Sequence, residues 1–146
     1  MGVLKDFDCA RLERTTVTAA RTEHNVIRPG LAYIGTCTST TNCTARGQQV
    51  VCNKGHGSHL VNDDIITGTV RCPSCNAPFE MQKVAIYQAK AVFELHGHTS
   101  VRDEVTVVGE EVLLIGQRLK QAVNNNLLMT VTTSAVGGSK KECVIS

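Results

Sequence analysis

Large rings are scarce in this chain of 146 residues, which has two tyrosines, three phenylalanines and no tryptophan. A core so short of aromatic area buries less surface per residue and gains from a staple such as a metal. The net charge is +2, and the longest basic run is Lys140–Lys141. Phosphate-tracking charge and rings to stack on bases are both in short supply, so no nucleic-acid partner is expected. No apolar run approaches the roughly 20 residues that cross a bilayer. The opening MGVLKDFDCA lacks the apolar core of a secretory leader. It begins Met-Gly, but Asp6 stands where N-myristoylation wants Ser or Thr. A cytoplasmic, reducing setting is expected, where cysteines bind metal more readily than they form disulfides.

Cysteine is what the chain does have: Cys9, Cys37, Cys43, Cys52, Cys72, Cys75 and Cys143. At 42% hydrophobic and 19% charged, it can also bury a core. Residues 1–27 read as an N-terminal extension, with Leu4 and Phe7 spaced as in a short amphipathic helix and TTVTAA as an edge strand. Arg28-Pro29-Gly30 punctuates the chain. LAYIG (31–35) and QQVVC (48–52) read as strands around a Thr/Ser/Asn-rich loop, and Gly55 and Gly57 mark a turn before the chain runs extended again. From Ala85 to Leu95 the odd positions are apolar and the even ones mixed, which predicts a strand with one buried face. EVTVVG predicts another strand. Val112, Ile115, Leu119 and Ala122 are spaced as on a helix, and LLMTVTTSAV predicts a closing strand. The expected fold is mainly β: a small, zinc-stapled, zinc-ribbon-like antiparallel module over 28–97. A strand–helix–strand extension (98–135) and a flexible tail (136–146) are expected to follow.

The tight C-x2-C of Cys72-Pro-Ser-Cys75 is half of a tetrahedral metal site, and the C-x5-C of Cys37 and Cys43 offers the other half. The second spacing exceeds the usual roughly two to four residues, and TSTTN supplies turn formers for the wider loop. Four thiolates would close the coordination sphere of a structural zinc. Cys52, His56 and His59 lie between the pairs as further candidate ligands. Counting them, the order resembles a RING finger, whose alternating ligands hold a pair of zinc ions and commonly end in Cys-Pro-x-Cys. The ligand expected shortly after His59 is missing, with only Asn62, Asp63 or Asp64 near it, as is the Trp usual before the last knuckle. The plainer expectation is that His56 sits free on a turn, that His59 packs over the site and that Cys52 is a core residue.

Taken together, Arg28-Pro29-Gly30-Leu31, Gly35-x-Cys37, Cys43-x-Ala45, Gly55-x-Gly57 and Cys72-Pro73-x-Cys75, closed by IYQAKAVFELHG, resemble a cysteine-rich zinc module of eukaryotic, largely protist, proteins. Several members carry it beside ubiquitin-like or other signalling domains. His56 and His59 stand where that module usually has aromatic residues, and Ala89 where a cysteine is common. The resemblance implies one zinc on four cysteines, a β-rich structure and an adaptor role with a protein partner such as ubiquitin or an E2 enzyme.

Cys143-Val144-Ile145-Ser146, after GGSKKE, fits a CaaX box in all four places, with a terminal Ser that favours farnesyl. One prenyl chain gives marginal, reversible membrane contact. Catalysis is not expected. A closed four-thiolate site leaves no open position for substrate, and the adjacent Asp63 and Asp64 read as a solvated turn. A ubiquitin ligase using Cys52, His56 and His59 is the alternative.

Overall fold

The computed structural model describes residues 13–16, 26–39, 43–97, 100–116 and 128–136. Seven strands make one antiparallel sheet: β1 (Glu13–Thr16), β2 (Gly30–Thr36), β3 (Gln49–Gly55), β4 (Gly57–Leu60), β5 (Met81–His96), β6 (Ser100–Ile115) and β7 (Leu128–Ala135). One short helix, α1 (Val61–Ile66), follows β4. The mainly β expectation holds, and the strands expected over 31–35, 48–52, 85–95 and 128–135 are all present.

β2 and β7 lie end to end in one track of the sheet. β5 pairs with β2 through Met81 to Tyr87, then with β7 through Ala89 to His96. On the other side of that track, β3 pairs with β2 and β4 pairs with β7. The changeover falls at one level across the paired tracks of β3/β4, β2/β7, β5 and β6. Backbone with positive φ marks it: Gly55 (76°) and Gly57 (124°) between β3 and β4, Gly30 (112°) at the start of β2, Gln88 (44°) in β5 and Gly109 (66°) in β6. The Gln88 side-chain amide donates to the Gly109 carbonyl at 3.1 Å, tying two of these irregularities together.

This crease explains the pattern in β5. The odd positions from Ala85 to Leu95 are buried as their alternation predicts, but not on one face. The β5–β6 register shifts between Tyr87 and Ala89, where Gln88, at positive φ, stands against Val108 to Glu111 of β6. Ala85 and Tyr87 therefore join a cluster with Ile27, Ala32, Ile34, Val51, Val112 and Leu114. Ala89, Ala91, Phe93 and Leu95 join the main core on the other face with Val84 and Ile86. That core draws on both sides of the crease, from Leu31, Tyr33 and Leu113 to Val107, Met129 and Val131. The creased sheet thus supplies one large core with few large rings, those of Tyr33, Phe79 and Phe93.

The helical expectation is corrected. Val112 and Ile115, spaced as on a helix, lie in β6, paired with β5 and, through Val112 to Leu114, with β1. Both faces are buried there, so VLLI is a continuous apolar run that period alone does not assign. Ladder partners on two edges decide for strand. Leu119 and Ala122 lie outside the described residues. The extended return expected after Gly57 is β4, which runs through Leu60 before α1 begins, and the first turn of α1 carries Asp63 and Asp64. At the other end Glu13 and Arg14 belong to edge strand β1, where Arg14 donates to Glu111 of β6 at 2.9 Å. Leu4 and Phe7 lie outside the described residues, as does most of TTVTAA.

Candidate metal centre

Strand alternation delivers the first ligand. Leu31, Tyr33, Gly35 and Cys37 fall on one face of β2 and its extension, so Cys37 reaches the main core just past the strand end. The chain then turns back towards β3 through Cys43. The loop is held by the Cys37 N–H on the Gln48 carbonyl at 3.2 Å and the Gly47 N–H on the Cys37 carbonyl at 2.7 Å. The second knuckle precedes β5. The Cys72 N–H donates to the Ala77 carbonyl (2.9 Å) and the Asn76 N–H to the Cys72 carbonyl (2.8 Å), with Asn76 at φ 62° closing the turn. Asn tolerates that left-handed conformation better than most residues.

The two knuckles meet sulfur to sulfur. The Sγ atoms of Cys37, Cys43, Cys72 and Cys75 all lie within 4.8 Å of one another. Cys37 is 3.8 Å from both Cys43 and Cys75, and Cys43 is 3.9 Å from Cys72. A tetrahedron with metal–sulfur bonds of about 2.3 Å has an edge of about 3.8 Å. A disulfide would need about 2.05 Å, and all four are free cysteines. The donor set therefore has the size of a tetrahedral thiolate site. Outside it, the Thr44 and Ser74 hydroxyls lie 3.3 Å apart and link the knuckles a second time.

Backbone N–H groups two residues along point at the sulfurs. Ala45 donates to Cys43 at 3.3 Å and Ser74 to Cys72 at 3.4 Å. Ser39 and Ala77 do the same for Cys37 and Cys75. Each such bond favours thiolate over thiol. The Ala77 N–H is the largest influence on Cys75 and draws it down to about 7. The Ser39 N–H is the largest on Cys37, but burial and the neighbouring sulfurs of Cys72, Cys75 and Cys43 outweigh it and push Cys37 up to about 12. Burial likewise raises Cys72, against the N–H groups of Cys75 and Ser74. Sulfurs this close cannot all hold negative charge unaided; a cation among them removes the conflict.

Cys52, His56 and His59 do not join this group. Among the described residues the four cysteines are the only set of three or more ligand side chains placed to hold a metal. Cys52 faces the main core beside Tyr33, with its sulfur 3.8 Å from the Thr69 carbonyl. His56 is exposed at the β3–β4 turn. His59 pairs with Val131 on β4, and its Nε2 is buried without a hydrogen-bond partner. A buried polar atom left unpaired costs about 1–3 kcal/mol. His59→Leu is therefore expected to leave metal content unchanged and to match or exceed the wild-type melting temperature. A lost metal on that substitution would return His59 to the ligand set. Cys143 lies outside the described residues.

One polar contact near the centre was not legible in the sequence. Tyr33, fully buried, donates its hydroxyl to Asp64 Oδ2 at 2.6 Å. Asp64 also accepts from the Thr69 hydroxyl at 3.2 Å, and the Lys54 ammonium donates to the Thr69 carbonyl at 2.9 Å. These bonds fix α1 and the segment leading to Cys72 against β2 and β3. Asp64 is thus a structural anchor rather than part of a solvated turn. Burial, then the Asp64 contact, raises the Tyr33 pKa well above its ordinary 10.0. Above about pH 10 the unfolded chain releases this proton and the folded chain keeps it, so stability falls as pH rises. The slope is about 1.4 kcal/mol per pH unit. Tyr33→Phe should lose about 1.5–3 kcal/mol at neutral pH and lack that alkaline component. Denaturant melts of both proteins from pH 8 to 11 check it; parallel pH curves would refute it.

No helix among the described residues is long and apolar enough to cross a membrane. No family model, curated protein or solved structure matches the chain.

Proposed function

We propose that Cys37, Cys43, Cys72 and Cys75 hold one zinc ion in a zinc-ribbon-like pairing of knuckles, and that the chain is a non-enzymatic protein-interaction module. The observation that carries this reading is the set of sulfur separations, 3.8, 3.8 and 3.9 Å, on two knuckles whose N–H groups favour thiolate. All-sulfur tetrahedral donors suit zinc among the common divalent ions. Four protein ligands leave no open position, so bound zinc would supply folding energy rather than Lewis-acid chemistry. The resemblance to modules found beside ubiquitin-like domains makes a protein of the ubiquitin system the partner to try first.

Native mass spectrometry of freshly purified protein tests the metal. One zinc per chain, lost in the Cys72→Ser/Cys75→Ser variant, is expected. Two zincs would recruit Cys52 and the histidines and move a RING-type ligase to the front, which a ubiquitination assay with a panel of E2 enzymes would then show by chain formation. Membrane delivery through a farnesyl group on Cys143 belongs to the same proposal. Labelling in cells with a farnesyl analogue should mark the wild type and not Cys143→Ser, and an unlabelled wild type would refute it.

A further inference from the structure

The four sulfurs are not equivalent. Cys37 and Cys72 are each 1% exposed, whereas Cys43 and Cys75, one from each knuckle, are only partly buried. The short sulfur–sulfur edges, Cys37–Cys43, Cys37–Cys75 and Cys43–Cys72, each join a partly exposed sulfur to a buried one. A small oxidant can therefore reach one member of each such pair while the other waits in contact behind it.

We propose that the centre is a peroxide-responsive switch, in which an exposed sulfur is oxidised first, a buried one resolves it, and the resulting disulfide expels the metal. The inference rests on the zinc reading above. The thiolate of Cys75 or Cys43 attacks one oxygen of hydrogen peroxide; an S–O bond forms, the O–O bond breaks and hydroxide leaves. The buried thiolate in contact, Cys37 or Cys72, then attacks that sulfur. An S–S bond forms, the S–O bond breaks and a second hydroxide leaves. Two sulfurs give up two electrons, and the peroxide, taking up two protons, becomes two waters. Two thiolates remain, too few to keep a structural zinc. Because the metal's binding energy is also folding energy, oxidation loosens the knuckle end of the sheet. A thiol reductant and zinc reverse it.

The experiment uses the full chain as Cys9→Ser/Cys52→Ser/Cys143→Ser, which leaves the four candidate ligands as its only cysteines. Zinc is counted by native mass spectrometry. Peroxide is then added in the presence of glutathione as a reference thiol, with released zinc followed by a chromophoric chelator and disulfides mapped by peptide mass spectrometry. Release of the zinc with about one equivalent of peroxide consumed, exposed-to-buried disulfides and recovery with dithiothreitol plus zinc are expected. No zinc at the outset would overturn the zinc reading and the switch with it. Zinc that stays bound while glutathione oxidises would leave the zinc reading standing and overturn the switch. A Cys43–Cys75 disulfide, or sulfinic acids without any disulfide, would also overturn it.

Discussion

Stripping the proposed zinc with a chelator is expected to lower the melting temperature by at least about 10 °C. Structural zinc in peptide modules is worth about 10–16 kcal/mol of apparent binding energy, nearly all of it folding energy. The core that Cys37 and Cys72 enter also extends beyond them, through Phe93, Leu95, Val107, Met129 and Val131. Only part of the metal's energy should therefore appear as lost stability. A loss of at least about 5 kcal/mol, at about 2–4 °C per kcal/mol for a domain of this size, gives the stated shift. The loss should also be local. The hydrogen bonds of Cys37, Cys43 and Ala45 with Arg46, Gly47 and Gln48 are local to their loop, and the knuckle at Cys72 is a single turn. Hydrogen exchange should rise across residues 31–39, 43–52 and 70–80, while the paired β5, β6 and β7 segments beyond the crease stay protected. A chelated protein with unchanged melting and unchanged exchange would show that the four cysteines are no staple.

Gly35→Ala is expected to be nearly as damaging, although Gly35 ligates nothing. It lies on β2 two residues before Cys37, at an irregularity in the β2–β5 pairing between Ile34 and Gly35. A Cβ there would sit 2.3 Å from the Glu80 carbonyl oxygen and 2.6 Å from the Phe79 ring. Neither neighbour can simply rotate away. One is backbone, and the Phe79 N–H is tied to the Val70 carbonyl at 3.2 Å, within the segment that carries Cys72 and Cys75. Relief requires the second knuckle to back off the first, which opens the sulfur cluster. A loss of about 2–4 kcal/mol, in the range of overpacked cores and broken backbone contacts, and at least about tenfold weaker zinc binding, about 1.4 kcal/mol, should follow. Gly68→Ala is the control, since its Cβ would meet nothing within 4 Å, although φ is 72°. It should cost about 1–2 kcal/mol of backbone strain and leave zinc affinity unchanged. Equal zinc affinity in Gly35→Ala and wild type would mean that the knuckles are not positioned through Phe79 and Glu80.

The sequence by itself determined the residues that can bind metal and the segments that can be strands. Two cysteine pairs at knuckle spacing mark a site whatever the rest of the fold, because tetrahedral coordination demands close-spaced ligands within each half. Alternation over Ala85 to Leu95 marks burial because side chains in a strand point to opposite faces in turn. Tertiary structure decided which face each residue meets and which candidates share a site. The register shift at Gln88 sends Tyr87 and Ala89 to different clusters, and the positive φ there leaves no local signal in a Gln. Val112 to Ile115 became strand because β1 and β5 flank them, partners at least 25 residues away in sequence. Cys52 and His59 were left out of the four-cysteine cluster for the same kind of reason. Their strands carry them to Thr69 and Val131, and Asp64 was drawn to a buried tyrosine that precedes it by 31 residues. Ligand spacing is a local property that a short stretch of chain displays. Register, face and long-range pairing are set by energies shared among segments, and those exist only once the chain has folded.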